Sequence, residues 1–552
     1  MVHAFNIPEI LSLICEEAQL EPPDLARLLT TTRLFYHYAV PFVWRSLPDS
    51  APIILAKLLP DDAACLKYGY DDTIAERLQP LDAQSLVRFN FYVPHVKQLA
   101  RHCLNWPSNI MWDRLLKLVD RRPILPNLEI LKVSLAVFGA GKLHDPAAYL
   151  SAHLTPKLIE IDLGPSDEYS SMEPQCLHGV VSTIAQKCPH IQSLDLSSVV
   201  CETEMDPTLE NELVDSLNQL CHLRALKIGK AALESKVLSA ISSLPNLKSL
   251  DLEQVDSPLF NLLETSLPCG SFPALQHLGM ELGSINKPQN ARAAWSIAAV
   301  AQRLMSISVR ATGYCNPSQV RKLARTICRY GPFVTSLCLE YEHVRPANLF
   351  FSPALVDILA QLPLQRLCIW ENDSPYKDRW DSERFALTFQ NLEYLTITGY
   401  DFTFTDFKNI AQHIPRLQQL SASIETNKDW PSKHEVALLT LTPSPSQLCL
   451  YLAIVGFLLK IIPDDLCFEG IPSQKLEVIG AGLHTLWPKG LVCKAYQLPE
   501  SLKKREPNYA DKINATLKQL RKADGHGDET EVTLQDYARQ CNPSWFESFN
   551  VE

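Results

Sequence analysis

The chain has no hydrophobic run long enough to cross a membrane as a helix. Its most apolar stretch, LCLYLAIVGFLL at Leu448–Leu459, is closed by Lys460, short of the roughly 20 residues a span needs. That stretch reads as a buried strand or helix. No secretory leader is legible, because Pro8, Glu9, Glu16 and Glu17 interrupt the N-terminus early. None of the 16 cysteines stands in a C-x-x-C pair, and without a leader they read as reduced, mostly buried thiols of a cytoplasmic and/or nuclear protein. An excess of positive charge is missing too: 51 Lys and Arg face 62 Asp and Glu, a net charge of −11. Neither a nucleic-acid nor a membrane partner is therefore expected. There is no Gly/Ser-rich linker, so the parts of the chain should be rigidly joined.

Chemical signatures are equally scarce. The 15 histidines show no H-E-x-x-H or paired-ligand spacing. FGAGKLHD at Phe138–Asp145 brushes against a phosphate loop, but Ala136 and Leu143 stand where that motif needs Gly and Ser or Thr. Cys338 and Cys368 fall inside apolar phrases with no local sign of reactivity, and read as packing residues. No catalytic residue, metal or cofactor is expected, and the chain does not read as an enzyme.

What the sequence does hold is a repeat. With 552 residues, 46% hydrophobic and 20% charged, it is a folded chain too long for one core. The phrase L-x-x-L-x-L, with Val, Ile or Met allowed for Leu, begins at Val96, Leu128, Leu158, Ile191, Leu223, Leu247, Leu275, Leu304, Val334, Leu364, Leu392 and Leu417. Most steps are near 30 residues, with a shortest of 24 (223 to 247) and a longest of 33 (158 to 191). Degenerate copies are expected near Leu448 and Leu476. The last two apolar residues of each phrase are two apart, so they share one side of a strand. Helical periodicity precedes many copies, as in HGVVSTIAQK, KVLSAISS, VRKLARTICRY and DFKNIAQH. Strand-plus-helix units that cannot bury their apolar faces alone stack into a solenoid. Proline stands two places before the first apolar residue in eight of the twelve copies: Pro94, Pro126, Pro156, Pro189, Pro245, Pro273, Pro332 and Pro415. It stops the preceding helix and starts an extended segment.

This pattern resembles leucine-rich repeats. The resemblance implies an α/β solenoid with parallel strands on the concave side and helices on the convex side. It lacks that family's asparagine, replaced by Ser166, Val199, Ala231 and Val255, so an irregular horseshoe is expected. Residues between the apolar positions would then line the concave wall. They are acidic early (Glu160, Asp162, Asp195, Asp251, Glu253, Glu281) and mixed later. The later set Arg310, Glu340, Arg366, Trp370 and Tyr394 has the composition of a partner-binding hot spot.

Before the repeats, Phe5–Leu47 carries three short helical patterns, too little chain for a strong core of its own. The opening IPEIL, the middle DLARLL and the closing FYHYAVPFVWRSL resemble an F-box in order and spacing. That resemblance implies docking on the Skp adaptor of cullin–RING ubiquitin ligases through Ile7, Pro8, Ile10, Leu11, Leu25, Leu28, Leu29 and the turn at Trp44. A plain helical cap for the solenoid would need similar residues. The expected organisation is an F-box-like module at 1–50, connecting helices or an irregular first repeat at 51–95, the solenoid at 96–482, and a C-terminal cap at 483–552 with an amphipathic helix near Tyr509–Lys522. The function implied is substrate recognition within a Skp–cullin–F-box ubiquitin ligase, the target protein being unidentified. The alternative is a protein-binding scaffold or inhibitor with no ligase link.

Overall fold

The phrases enter their strands through a recurrent corner. In most, the N–H of the first apolar residue donates to the carbonyl three residues back, closing a four-residue turn: Val96 to Val93 at 3.1 Å, Leu128 to Leu125 at 3.2 Å, Ile191 to Cys188 at 3.1 Å, Val334 to Gly331 at 3.1 Å, Leu417 to Ile414 at 3.3 Å. The recurrent proline occupies the second place of that turn, where its fixed φ is what the turn requires. Proline thus sets the corner into the strand as well as ending the helix. Two residues further on the strand begins.

The computed structural model describes residues 8–17, 22–48, 50–60, 79–103, 112, 114–120, 123–134, 150–164, 174–197, 206–229, 235–253, 267–268, 270–282, 297, 301, 303–315, 317–344, 353–371, 380–424, 430–431, 435, 443–444, 448–453, 473–488, 491–495 and 509–524. The chain divides into two units, Met1–Leu275 and Gln276–Glu552.

The first unit opens with helices α1 (Pro8–Glu17), α2 (Pro22–Leu28) and α3 (Arg33–Val43). Thr32 caps α3, its hydroxyl accepting the Phe35 N–H. Strand β1 (Ser46–Leu47) follows, then α4 (Ala51–Ala56) and α5 (Val87–Tyr92). The repeats contribute β2 (Gln98–Cys103), β3 (Ile130–Ser134), β4 (Glu160–Asp162), α6 (Pro174–Lys187), β5 (Ser193–Leu196), α7 (Pro207–Gln219), β6 (Ala225–Ile228), α8 (Ser235–Ser242) and β7 (Ser249–Leu252). β1 to β7 pair in chain order, all parallel. The register aligns Leu47, Leu99, Leu131, Ile161, Leu194, Leu226 and Leu250 in one row, and all seven are buried. Such a side chain contributes about 1.5–3 kcal/mol through burial, so the row is the spine of the unit.

The second unit contains β8 (His277–Leu282), β9 (Ser306–Cys315), α9 (Pro317–Tyr330), β10 (Ser336–Val344), α10 (Pro353–Leu359), β11 (Arg366–Glu371), α11 (Ser382–Thr388), β12 (Tyr394–Phe402), α12 (Phe404–His413), β13 (Gln419–Ile424), β14 (Leu448–Ala453), α13 (Ser473–Leu486), β15 (Leu491–Ala495) and α14 (Tyr509–Ala523). β8 to β15 also pair in chain order and parallel. Their spine runs Leu278, Ile307, Leu337, Leu367, Leu395, Leu420, Leu450 and Cys493, all buried.

Neighbouring repeats are also joined just before the strands. One carbonyl accepts two N–H groups from the next repeat: Lys97 from Glu129 and Ile130 at 2.7 and 2.9 Å, Thr335 from Gln365 and Arg366 at 2.8 and 2.9 Å. In the two L-P-N-L phrases the asparagine adds a rung, Asn127 donating to the Pro94 carbonyl at 2.7 Å and Asn246 to that of Cys221 at 2.9 Å.

Three expectations need correction. The parallel sheet begins at β1, before the first phrase: Arg45's carbonyl accepts the N–H groups of Lys97 and Gln98. The copy expected near Leu476 is helical, since Leu476 lies in α13 and the last strand is β15. The copy at Leu448 is a strand, as the apolar run suggested, but it starts at Leu448 itself rather than two residues later. Phe138–Asp145 lies outside the described residues.

Candidate functional site

Both units carry candidate surfaces. The first belongs to the leading helices. Cys15, Leu25 and Ala39 form a small closed core, with Leu28, Leu29, Phe42 and Val43 packed against it. Leu11 is also fully buried. Leu11 and Leu25, expected to meet an adaptor, therefore hold the module together, because three short helices need every inward leucine for their own core. Leu28 and Leu29 are half-buried. Ile10 is turned to solvent, at 36% exposure, as are Leu13 at 55% and Leu34 at 36%. Leu13 and Leu34 were not singled out from sequence; Leu13 stands three places after Ile10 on the face of α1 away from Leu11 and Cys15. Pro8 starts α1, and Ile7 lies outside the described residues.

Trp44 is placed differently from the expectation. Its ring stacks on Tyr92, with centroids 4.6 Å apart and planes at 28°. The Tyr92 hydroxyl is hydrogen-bonded to that of Tyr36. Trp44 is thus a joint between α3 and α5, and the leading helices are fastened to the sheet through it and through β1.

The sheet face opposite the buried spine carries the polar positions. In the first unit Lys132, Asp162, Asp195, Lys227 and Asp251 form one register row. Lys227 Nζ reaches Glu253 at 2.7 Å and Asp195 at 3.7 Å, and Lys132 Nζ reaches Glu160 at 3.4 Å. Asp195 accepts the Ser197 N–H at 2.8 Å, yet its burial dominates and pushes its pKa up to about 6, with Lys227 opposing. Burial pulls Lys227 down, but Asp195 and Glu253 together lift it above the usual lysine range.

In the second unit two rows matter. Glu281, Arg310, Glu340 and Trp370 are aligned across β8 to β11, with Arg310 Nε 3.5 Å from Glu340 Oε1. His277, Ser306, Ser336, Arg366, Tyr394 and Gln419 are aligned across β8 to β13. The Arg366 guanidinium carbon sits 4.6 Å from the centroid of the Tyr394 ring. The structure thus brings all five expected partner residues onto one face, as an Arg310–Glu340–Trp370 row and an Arg366–Tyr394 pair. Between the rows runs a line of small residues, Gly279, Ser308, Cys338, Cys368, Thr396 and Ser421. Cys338 and Cys368 do point to this face but are closed over, at 3% and 2% exposure. A hydrogen bond donated by the Cys368 S–H to Cys338, and then burial, raise the Cys368 thiol well above its ordinary pKa. Burial pushes Cys188 and Cys493 up to about 12. At neutral pH these thiols stay protonated, which opposes nucleophilic chemistry at them.

Sequence reasoning stopped at Tyr394 and did not single out Thr396, two residues along the same strand, or Gln419 in the next phrase, which share its face. Among the described residues no three His, Cys, Asp or Glu side chains gather as a metal site, and no helix is long and apolar enough to cross a membrane. In comparison with known proteins, no family model matches the chain and no curated protein matches it.

Proposed function

We propose that this chain is a non-catalytic recruiting subunit of a Skp–cullin–F-box ubiquitin ligase. Its leading helices dock on the Skp adaptor, and its leucine-rich-repeat solenoid holds a target protein. The ligase's other subunits carry out ubiquitin transfer. The observation that carries this reading is the division of labour in the leading helices. Their core is closed by Leu11, Cys15, Leu25 and Ala39, while Ile10, Leu13 and Leu34 stay exposed. Ile10 and Leu13, one turn apart on the outer face of α1, offer the apolar surface that a docking helix needs. The joint at Trp44 and β1 fastens this docking face to the first strands of the repeats.

Co-expression of the full chain with a Skp adaptor tests it. The wild type should retain the adaptor through purification, and Leu13→Asp with Leu34→Asp should lose it while leaving the circular-dichroism spectrum unchanged. A wild-type chain that never retains the adaptor removes the ligase reading and leaves a protein-binding scaffold.

A further inference from the structure

On the outward face of the second unit, three hydrogen-bond donors on consecutive strands have no acceptor among the described residues. Gln419 is 1% exposed and Thr396 is 0% exposed, and the Gln419 amide nitrogen and Thr396 hydroxyl have no hydrogen-bond partner. Buried polar groups are nearly always paired, so two unpaired ones on adjacent strands are unusual. The third donor is Arg366, whose guanidinium rests on the Tyr394 ring and makes no ion pair among the described residues. Arg310, one row away on the same face, has Glu340 beside it.

The register fixes their neighbourhood. Arg366, Tyr394 and Gln419 are successive partners in one row, and Thr396 lies two residues along β12 from Tyr394, beside Ser421 of β13. Adjacent strands are about 4.8 Å apart. The arginine head, already drawn over Tyr394, therefore lies on the Gln419 side of its own strand. Amide, hydroxyl and guanidinium all donate, and they bring one positive charge.

We infer that Arg366, Gln419 and Thr396 form an acceptor subsite for a carboxylate side chain, Asp or Glu, in an extended segment of a protein partner lying across the small-residue line of β10 to β13. The inference rests on the proposed role of the repeats in holding a target, and names the chemistry that role would read. One guanidinium matches one carboxylate. A phosphate dianion calls for several cations, and here Glu340 and Glu281 line the neighbouring row instead. Backbone carbonyls of the same segment suit the remaining donor.

A displayed library of random decapeptides, selected on the full-length chain, tests the inference. Wild-type protein should enrich peptides with an acidic residue at a fixed place, and Arg366→Glu should abolish that enrichment or exchange it for a basic one. A synthetic peptide from the selection should lose roughly tenfold to hundredfold in affinity when its acidic residue becomes the amide, the range expected for a charged hydrogen bond. Arg366 is exposed, so its replacement leaves folding intact, and Thr396→Val offers a second, nearly isosteric probe that should also weaken the peptide. No enrichment, enrichment without acidic residues, or an Arg366→Glu selection identical to wild type overturns the subsite. So does tighter binding when phosphoserine replaces the acidic residue. Adaptor retention is read separately and is untouched by Arg366→Glu, so failure here is distinguishable from failure of the ligase reading.

Discussion

Asn514 acts as a surrogate strand for Cys493. Its side-chain amide donates to the Cys493 carbonyl at 2.7 Å, and its carbonyl oxygen accepts the Cys493 N–H at 2.9 Å. Arg521, two turns further along the same face of α14, donates to the Leu491 carbonyl at 2.9 Å. The last strand of the second unit would otherwise show bare backbone groups, a template for pairing with another chain. Gly480 on α13 lets α14 lie close, since a Cβ there would come within 3.1 Å of Thr516 Cγ2.

Replacing Asn514 by Ala should leave both Cys493 backbone groups unpaired. A loss of roughly 1–3 kcal/mol is expected, read as a lowered urea midpoint. The Cys493 amide should exchange faster with deuterium than in wild type, and light scattering should show greater self-association.

Asp195 should make the first unit more stable in mild acid than at neutral pH. A carboxyl whose folded pKa is about 6 binds its proton more tightly folded than unfolded, where it titrates near 3.8. Its contribution therefore falls as pH rises between those values and stays low above them. The full swing is at most about 3 kcal/mol. Asp195→Asn keeps an acceptor for the Ser197 N–H, so it should flatten this segment of the curve. Urea midpoints at pH 4.5 and 7.5 for both chains would reveal a slope unchanged by the substitution if another group is responsible.

Thr396→Val should be neutral or stabilising in the unbound chain. It removes a buried hydroxyl that has no partner and nearly conserves shape. Thermal melts decide it: a marked drop in midpoint would mean that the hydroxyl is bonded after all.

Leu11→Ala and Leu13→Ser should separate cleanly. The first opens a cavity in a fully buried position and should cost about 2–5 kcal/mol, seen as early loss of the leading helices to limited proteolysis. The second alters a side chain that is 55% exposed and should leave proteolysis unchanged.

The repeats were legible because their information is local. Leu128, Leu131 and Val133 sit within six residues, and their spacing alone fixes a strand and its buried side. The errors arose where the deciding partner is distant or the pattern ambiguous. Trp44 looked available for an adaptor because Tyr92, on which it stacks, stands far along the chain. Leu476, Ile479 and Leu483 mimic the start of a phrase, yet their spacing of three and four also fits a helix, and α13 is what forms. β1 is two residues long, too short to carry any periodicity. The unpaired donors at Thr396 and Gln419 were invisible for another reason: whether a polar group finds a partner depends on packing that spacing does not encode.

The double acceptance at most strand starts has a consequence for how such a chain can vary. A residue inserted inside a strand would turn Lys227 inward and Leu226 outward and break the lateral bonds on both sides. A residue inserted between a strand and its following helix changes no rung of the ladder. Length should drift in those connecting arcs while the phase of each phrase stays locked, as the unequal steps between phrases already suggest.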